Sequence, residues 1–147
     1  MTETRTYPQR PFLAVSAAII RDGKVLAVRR ARKPAINLYT MPGGVVETGE
    51  TLFEAVQREV REETSLEIAP VALAGHREAI QRDPQGKVAM HFIIMCFAAR
   101  WISGDIVLNE ELDDARWLTL AELSGYKTTD GLAEIVGDAA KVLGVKV

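Results

Sequence analysis

Acidic residues are concentrated in one short part of this 147-residue chain. Residues 47–67 contain seven of the 20 aspartates and glutamates but only two basic residues, Arg58 and Arg61. The helical part of this segment begins with Thr51-Leu52-Phe53-Glu54, a capping box in which the Thr and the Glu satisfy each other's backbone N–H groups at a helix start. The sequence therefore predicts a helix from about Leu52 to Thr64 that carries a dense negative charge.

Three carboxylates share one face of this predicted helix. Glu59, Glu62 and Glu63 are three and four positions apart, so they lie within one narrow arc of the helix surface. Like charges at these spacings each destabilise an isolated helix by about 0.2–0.5 kcal/mol. Hard oxygen ligands on a rigid helix suit Mg²⁺ or Mn²⁺, which would remove the repulsion. The spacing predicts a metal site, and the alternative is a solvated acidic face.

The rest of the sequence has no repeat, low-complexity tract or linker, and predicts a single domain over residues 1–147. Residues 1–10 are expected to form a loose N-terminal arm. Extended runs predict a hairpin in which Phe12 to Ile20 and Lys24 to Arg30 flank a turn at Asp22-Gly23. A short strand is predicted from Leu38 to Met41 and ends at Pro42-Gly43-Gly44. A long antiparallel pair of Glu67 to Arg82 and Lys87 to Trp101 follows, and a last strand runs from Ala115 to Leu118. A second capping box at Thr119 to Glu122 and an apolar stripe from Leu132 to Leu143 predict further helices. Strands between helices predict an α/β fold.

The composition excludes several classes of protein. A single cysteine, Cys96, leaves no disulfide framework within the chain. A net charge of −2 argues against an extended basic surface for nucleic acid. There is no apolar run of the roughly 18–20 residues that a membrane span needs, and no apolar signal region near Met1. These features favour a cytoplasmic protein with neither membrane nor nucleic-acid partners.

The acidic helix and the residues before it resemble the Nudix box. That box consists of Gly, five residues, Glu, seven residues, Arg-Glu, an aliphatic residue, any residue, Glu-Glu, any residue, Gly and an aliphatic residue. Eight of its nine specified positions are matched between Gly44 and Leu66, and Ser65 stands in place of the last glycine. The resemblance implies an α/β/α sandwich with a mixed β-sheet between helices. It also implies metal-dependent hydrolysis of a diphosphate that is linked to another moiety, usually a nucleoside.

The resemblance also implies roles for individual residues. Glu59 and Glu63 would be the principal metal ligands, Glu62 a further ligand or a base, and the Gly43 carbonyl a backbone ligand. Arg58 would position the carboxylates by ion pairing, with Glu50 as its partner. Gly44 offers backbone that an ion or a phosphate can approach closely, because glycine has no Cβ. Ser65 stands where a left-handed helix cap is usual, so the resemblance leaves the geometry of the helix end, and not the chemistry, in question.

A catalytic base in this family often comes from a loop outside the box. The candidate loop here is Asn109-Glu110-Glu111-Leu112-Asp113-Asp114, in which Glu111 is the first choice and Glu110 the second. The alternative is that these are solvated loop acids, because sequence gives no geometry for a loop.

The basic N-terminal third of the chain is a candidate region for substrate binding. Residues 1–46 carry eight basic and two acidic residues. Arg29 and Arg30 end a predicted strand, so one points to each face, and one of them or Arg32 is a candidate contact for an anionic substrate. Tyr39 is a candidate for stacking on a base. The alternatives are exposed surface arginines and a tyrosine that simply packs.

The implied substrate is a nucleoside diphosphate linked to a sugar or similar group, with ADP-ribose favoured. Nucleoside triphosphates and dinucleoside polyphosphates are alternatives, because the pocket that selects the substrate lies outside the box. A non-catalytic, nucleotide-sensing Nudix module is a second hypothesis from another class. The long predicted strands also provide edges through which a homodimer could form.

Overall fold

The computed structural model of the chain describes residues 4–147. Over that range, the chain forms one sheet with helices packed against it. The strands are β1 (Phe12–Arg21), β2 (Lys24–Arg30), β3 (Tyr39–Thr40), β4 (Gly43–Val45), β5 (Glu67–Arg82), β6 (Val88–Ser103) and β7 (Leu112–Leu118), and the helices are α1 (Leu52–Thr64), α2 (Leu120–Leu123) and α3 (Leu132–Leu143).

Helix α1 has the bounds that the sequence predicts, and its cap explains why. The Thr51 hydroxyl accepts from the Glu54 N–H at 3.1 Å, and the Glu54 carboxylate accepts from the Thr51 N–H at 2.9 Å. The apolar face of the helix is fully buried at Val56 and Val60. The capping box therefore fixes where the helix begins, and burial of this face holds it against the sheet.

The edge of β1 that faces β2 is shared between two partners. The Asp22-Gly23 turn has positive φ at both residues, 52° and 74°, as a two-residue hairpin requires. Near this turn β1 pairs with β2, but further from it residues 14–16 pair with β4 instead. Strand β2 continues in antiparallel pairing with β3 and β7. This division places the two glycines of β4 directly beside β1.

The remaining strands complete a mixed sheet between two helical layers. The other edge of β1 runs parallel to β6, which pairs antiparallel with β5. One core cluster packs α1 against one face of the sheet, and a second packs α3 against the opposite face. The predicted α/β/α sandwich with a mixed β-sheet is confirmed.

The strand boundaries that differ most from the sequence prediction are those of β4 and β7. Gly43 and Gly44 do not end a strand, because Gly43–Val45 is itself a strand paired with β1. A Cβ on residue 43 would collide with the Val15 carbonyl oxygen, so glycine is what permits this close approach. Strand β7 begins at Leu112 rather than Ala115, because its acidic first half pairs with the end of β2.

The N-terminal arm is attached to the sheet from Tyr7 onward. Residues 1–3 lie outside the described residues. The Tyr7 N–H donates to the Ala89 carbonyl at 2.8 Å, and the Tyr7 hydroxyl donates to Asp83 at 2.9 Å. These bonds attach Tyr7 to β6 and to the turn between β5 and β6, and the loose arm over residues 1–10 stays a prediction.

Two predictions about the surroundings of the protein stay predictions. Among residues 4–147, no helix has both the length and the hydropathy to cross a lipid bilayer. Strand β5 lies at one end of the strand order and presents an edge. Neither observation tests the cytoplasmic location or the homodimer that the sequence suggests.

Candidate active site

The glycines of β4 bring the backbone into contact with the acidic face of α1. The Gly43 N–H donates to the Glu63 carboxylate at 2.8 Å. A Cβ on residue 44 would fall on the carboxyl group of Glu59. Because Gly44 carries no side chain, the carboxyl group of Glu59 can lie directly against the strand, while Glu63 is held there by its bond to the Gly43 N–H.

Arg58 is the centre of an ion-pair network on this face. Its guanidinium binds both carboxylate oxygens of Glu50, at 2.7 and 2.9 Å. It also donates to Glu59 at 2.9 Å, to Glu62 at 3.3 Å and to the Val45 carbonyl at 3.1 Å. The hydrogen bonds from Arg58 lower the pKa of Glu50 to about 2. The predicted pairing of Arg58 with Glu50 is thus present, and it orients two carboxylates of the acidic stripe.

Glu63 and Glu59 hold their carboxyl groups in poorly solvated positions. Glu63 is only 5% exposed, and burial raises its pKa to about 8, although the Gly43 N–H opposes the shift. Burial also raises the pKa of Glu59, while Arg58 opposes that shift. A nearby cation would favour the charged form of both groups.

The donor set fits a hard divalent cation. Across residues 4–147, no three His, Cys, Asp or Glu side chains are already arranged as a metal site. The carboxylates are instead held by Arg58 and by the Gly43 N–H. Their chemistry nevertheless suits Mg²⁺ or Mn²⁺, because the donors are all oxygens and Glu59, Glu62 and Glu63 border one open cleft.

A cleft of about 550 Å³ opens beside these carboxylates. Glu59, Glu62 and Glu63 line it together with both glycines of β4. Its size is within the usual range for a small-molecule site. The structure therefore gathers the acidic stripe and the glycine strand into one concave surface.

Three basic residues from the end of β2 and the loop after it line the same cleft: Arg30, Arg32 and Lys33. The Arg30 Nε donates to the Pro34 carbonyl, which fixes the direction of its side chain. The positive charge of Arg30 also lowers the pKa of Glu63 against the effect of burial. Carboxylates and cations thus face one space, as binding of a metal and a diphosphate would require.

The structure distinguishes between the two candidate loop acids. Glu111 lines the cleft, and its negative charge raises the pKa of Glu63. Glu110 is absent from the described cleft lining, and 78% of its side chain is exposed. Arg32 lies 3.7 Å from a carboxylate oxygen of each. The placement favours Glu111 as the candidate base.

Another part of the cleft is apolar. Met90, Phe92 and Ile94 of β6 line it, together with Thr129 and Arg77. The Arg77 Nε donates to the Asp130 carbonyl at 2.9 Å, which holds its guanidinium at this side of the cleft. The cleft therefore has a charged region and an apolar region.

A model of the NUDIX domain matches residues 10–137 of this chain. The chain belongs to the Nudix family. It is 35% identical over 113 residues to an ADP-ribose pyrophosphatase of Methanocaldococcus jannaschii, a match that covers 77% of this chain and 64% of that protein. It is 34% identical over 119 residues to the NAD-capped RNA hydrolase NudC of Pseudomonas aeruginosa, across 78% of this chain and 39% of NudC. The chain thus spans less than two thirds of either relative.

Solved Nudix structures share the fold. A MutT Nudix hydrolase from Burkholderia pseudomallei is 25% identical, with a TM-score of 0.77 over 88% of this chain and 98% of that one. The Nudix domain of Shewanella oneidensis NrtR, solved with ADP ribose, is 22% identical, with a TM-score of 0.70 over 92% of this chain and 90% of that one. At this identity the second likeness concerns the fold alone.

Ser65, the one departure from the Nudix box, keeps the helix end in the usual geometry. Its φ of 67° is left-handed, and its N–H donates to the Arg61 carbonyl at 2.9 Å. Its hydroxyl donates to the Val107 carbonyl at 3.2 Å, a bond that glycine could not make. The strain of a side chain at positive φ is therefore offset by a contact with the loop that leads to Glu111.

The structure does not bring Arg29 and Tyr39 to the Nudix cleft. Arg29 donates to Asp113 at 2.6 Å, and neither residue is among the described lining of the cleft. Tyr39 is 7% exposed, its hydroxyl donates to Asp114, and its ring packs edge-on against Tyr126 at 5.0 Å. These partners favour the alternative that Tyr39 simply packs, because a buried ring offers no free face for stacking on a base.

Several residues of the cleft were missed by sequence reasoning. Arg5 lies in the arm that was expected to be loose, yet it lines the cleft, and its charge lowers the pKa of Glu59 against the effect of burial. Phe92 and Ile94 share one face of β6, which their two-residue spacing indicates. The pairing of β6 with β1 decides whether this face of β6 borders the cleft. The sequence carries no local signal for that pairing.

Proposed function

We propose that this chain is a metal-dependent Nudix pyrophosphohydrolase that cleaves the diphosphate of a nucleoside diphosphate linked to another group, with ADP-ribose as the favoured substrate. One observation carries the proposal: Glu59, Glu62, Glu63 and Glu111 line a single cleft together with basic and apolar residues. The named activities of the relatives from M. jannaschii and P. aeruginosa support the same class of reaction.

The acidic stripe would hold the cation. Glu59 and Glu63 are the proposed principal ligands, with Glu62 and the Gly43 carbonyl as further ligands. Mg²⁺, or Mn²⁺ in its place, would neutralise phosphate charge and make a water more acidic when bound. Arg58 keeps the carboxylates of Glu59 and Glu62 oriented through direct hydrogen bonds.

The basic side chains would hold the diphosphate. Arg30 and Arg32 line the same cleft as the glutamates and carry the opposite charge. The planar guanidinium group of arginine can donate two hydrogen bonds to the oxygens of one phosphate. Gly44 lets backbone approach a phosphate closely, as the sequence suggests. The apolar surface of Met90, Phe92 and Ile94 would receive the nucleoside or the sugar.

Glu111 is the proposed general base. A water attacks one phosphorus atom, one P–O bond of the diphosphate bridge breaks, and the water's proton passes to the Glu111 carboxylate. The bridging oxygen leaves with the other phosphate, so the products are two monophosphates. Glu62 is the alternative base, as the resemblance to the family leaves open.

The test is a turnover screen with Mg²⁺ or Mn²⁺ against ADP-ribose, NAD, nucleoside triphosphates and a dinucleoside polyphosphate. We expect the highest kcat/KM with ADP-ribose. Glu111→Gln, Glu62→Gln and Glu63→Gln should each lower kcat by about 100-fold or more, because each removes a charge from the reacting centre. Glu134→Gln on α3, outside the described cleft lining, is the matched control and should leave kcat unchanged.

Four outcomes would contradict parts of the proposal. A preference for nucleoside triphosphates would overturn the substrate assignment but not the class. Near-normal turnover by Glu111→Gln would remove Glu111 from the mechanism. Tight binding of ADP-ribose without turnover of any nucleotide would favour the nucleotide-sensing module, and absence of Mg²⁺ or Mn²⁺ binding in equilibrium dialysis would favour a merely solvated acidic helix.

A further inference from the structure

We propose that Asn109 is a positioning residue for Glu111: its backbone binds the end of the metal-site helix, and its side chain binds the backbone of the proposed base. The inference deepens the proposed function and rests on the role given there to Glu111. No motif of the sequence singles out Asn109 for this role, and none of the comparisons assigns it one.

The side chain of Asn109 closes a tight turn around Glu111. Its Oδ1 accepts from the Glu111 N–H at 2.9 Å, and its carbonyl accepts from the Leu112 N–H at 3.3 Å. An Asn side chain that accepts from the N–H two residues later mimics a backbone turn. The direction in which the Glu111 side chain leaves the backbone is therefore set by Asn109.

The backbone of Asn109 joins this turn to α1. Its N–H donates to the carbonyl of Glu63 at 3.1 Å, and two residues earlier the Val107 N–H donates to the Thr64 carbonyl at 2.9 Å. The Ser65 hydroxyl adds a third bond, to the Val107 carbonyl. The loop is thus attached to the same helical turn that carries a proposed metal ligand.

On its other side, Glu111 is held by the loop that follows β2. The Ala31 N–H donates to the Glu111 carbonyl at 2.9 Å, and Arg32 lies 3.7 Å from its carboxylate. Glu111 is consequently held between α1, which carries Glu59, Glu62 and Glu63, and the loop after β2, which carries Arg32 and Lys33 of the cleft. Among these contacts, the hydrogen bond from the Glu111 N–H to Asn109 is the one made by a side chain only two residues away. It can therefore be removed by a single substitution beside Glu111.

Apolar packing cannot replace this bond. Leu108 and Leu112 pack against the core on either side of this turn, but Val107 is 65% exposed and Glu110 is also exposed, and no apolar contact can supply the acceptor that the Glu111 N–H needs. Without an acceptor at position 109, the Glu111 N–H loses its partner and the turn gains conformational freedom. A general base that is displaced by about 1 Å costs about 100-fold in rate.

The experiment measures kcat and KM for Asn109→Ala with the preferred substrate. We expect kcat to fall by about 10- to 100-fold while KM changes by less than about threefold, because the substrate contacts remain. Asn109→Ser, whose hydroxyl can accept the same N–H, should recover most of the loss. Thr119→Ala is the matched control: the Thr119 hydroxyl accepts the Glu122 N–H at the start of α2, outside the described cleft lining, and we expect unchanged kcat.

A second comparison separates positioning from a general loosening of the fold. In a Glu111→Gln background, Asn109→Ala should cause no further loss of kcat if Asn109 acts through Glu111. A further loss equal to that in the native background would overturn the proposal. The proposal would also be overturned if Asn109→Ala had the native kcat while Glu111→Gln was inactive. That outcome would leave the proposed function standing.

Hydrogen exchange tests the inference independently of any turnover. The Glu111 amide should exchange at least about 10-fold faster in Asn109→Ala than in the native chain, because its acceptor is gone. An unchanged rate would overturn the inference even if no substrate were found. Native turnover by Glu111→Gln, with faster exchange in Asn109→Ala, would instead show that the bond exists but serves no base.

Discussion

The carboxyl group of Glu59 occupies the space where a side chain on residue 44 would begin. A Cβ built on Gly44 would lie 2.6 Å from Oε1 of Glu59, and closer still to its Cδ and Oε2. The glycine at the start of the Nudix box is therefore a steric condition for the position of a proposed metal ligand. This relation depends on β4 pairing with β1 and on α1 packing beside both.

Gly44→Ala should impair catalysis without unfolding the protein. The added methyl meets only the end of a flexible side chain, which can move aside. We expect kcat to fall by about 10-fold or more from loss of ligand geometry, with a melting temperature close to that of the native chain. Assays of kcat at rising Mg²⁺ concentration and thermal unfolding check both parts.

Gly43→Ala is the matched comparison. Its added methyl would meet the Val15 carbonyl oxygen and the Ser16 Cα, which are backbone atoms that cannot move without disturbing β1. We expect destabilisation by about 2 kcal/mol or more, measured by denaturant unfolding. If both variants were equally stable, the strand pairing at β4 would be less rigid than this geometry requires.

Neighbouring arginines at the end of β2 should behave differently. Arg30 lines the cleft, whereas Arg29 is paired with Asp113 outside it. Arg30→Ala should raise KM by about 10-fold, because a charge-assisted contact with phosphate is lost. Arg29→Ala should change KM by less than about twofold, and a larger rise would return Arg29 to the substrate site.

Tyr39→Phe should affect stability rather than catalysis. It removes the hydroxyl that donates to Asp114 and leaves the packing on Tyr126 intact. We expect the free energy of unfolding to fall by about 1 kcal/mol at neutral pH, with kcat and KM unchanged. An increased KM would show that the ring does contact substrate.

The stability difference between native and Tyr39→Phe proteins should depend on pH. The hydroxyl of Tyr39 lowers the pKa of Asp114 below its usual value of 3.8. A group with a depressed pKa contributes stability above its unfolded pKa, and the contribution is lost as pH falls through the folded value. The difference should therefore stay constant at higher pH and shrink below 3.8, as urea unfolding at a series of pH values can measure.

Substitutions of Ser65 should separate backbone strain from hydrogen bonding. Both Ser65→Ala and Ser65→Gly lose the bond to the Val107 carbonyl, but only glycine adopts a φ of 67° without strain. Ser65→Gly should be more stable than Ser65→Ala by about 1 kcal/mol. Equal stabilities in chemical unfolding would mean that the helix end rearranges when the hydroxyl is lost.

Much of this site could be predicted from sequence because its parts are local. The capping box places α1, and a spacing of three and four residues puts Glu59, Glu62 and Glu63 on one face. The pairing of Arg58 with Glu50 follows the Nudix pattern, and the structure contains it at 2.7 Å. These relations span one helix and the loop before it, so few alternative arrangements compete.

The choice between near-identical candidates required the tertiary structure. The two candidates of each pair, Arg29 with Arg30 and Glu110 with Glu111, are adjacent in the sequence. A shift of one position moves a side chain to the other face of a strand or the other side of a loop. Strand pairing between residues far apart in the chain decides which face borders the cleft. Neither the composition nor the local sequence pattern indicates which strands pair.

By itself, then, the sequence determined the acidic helix, the hairpin at Asp22-Gly23 and the Nudix box, because turns and helices are set by residues a few positions apart. Only the tertiary structure placed Glu59 against Gly44, buried Tyr39, and tied Glu111 to α1 through Asn109. Those contacts involve β3, β4, β7 and α1, which come together as the two cores are buried.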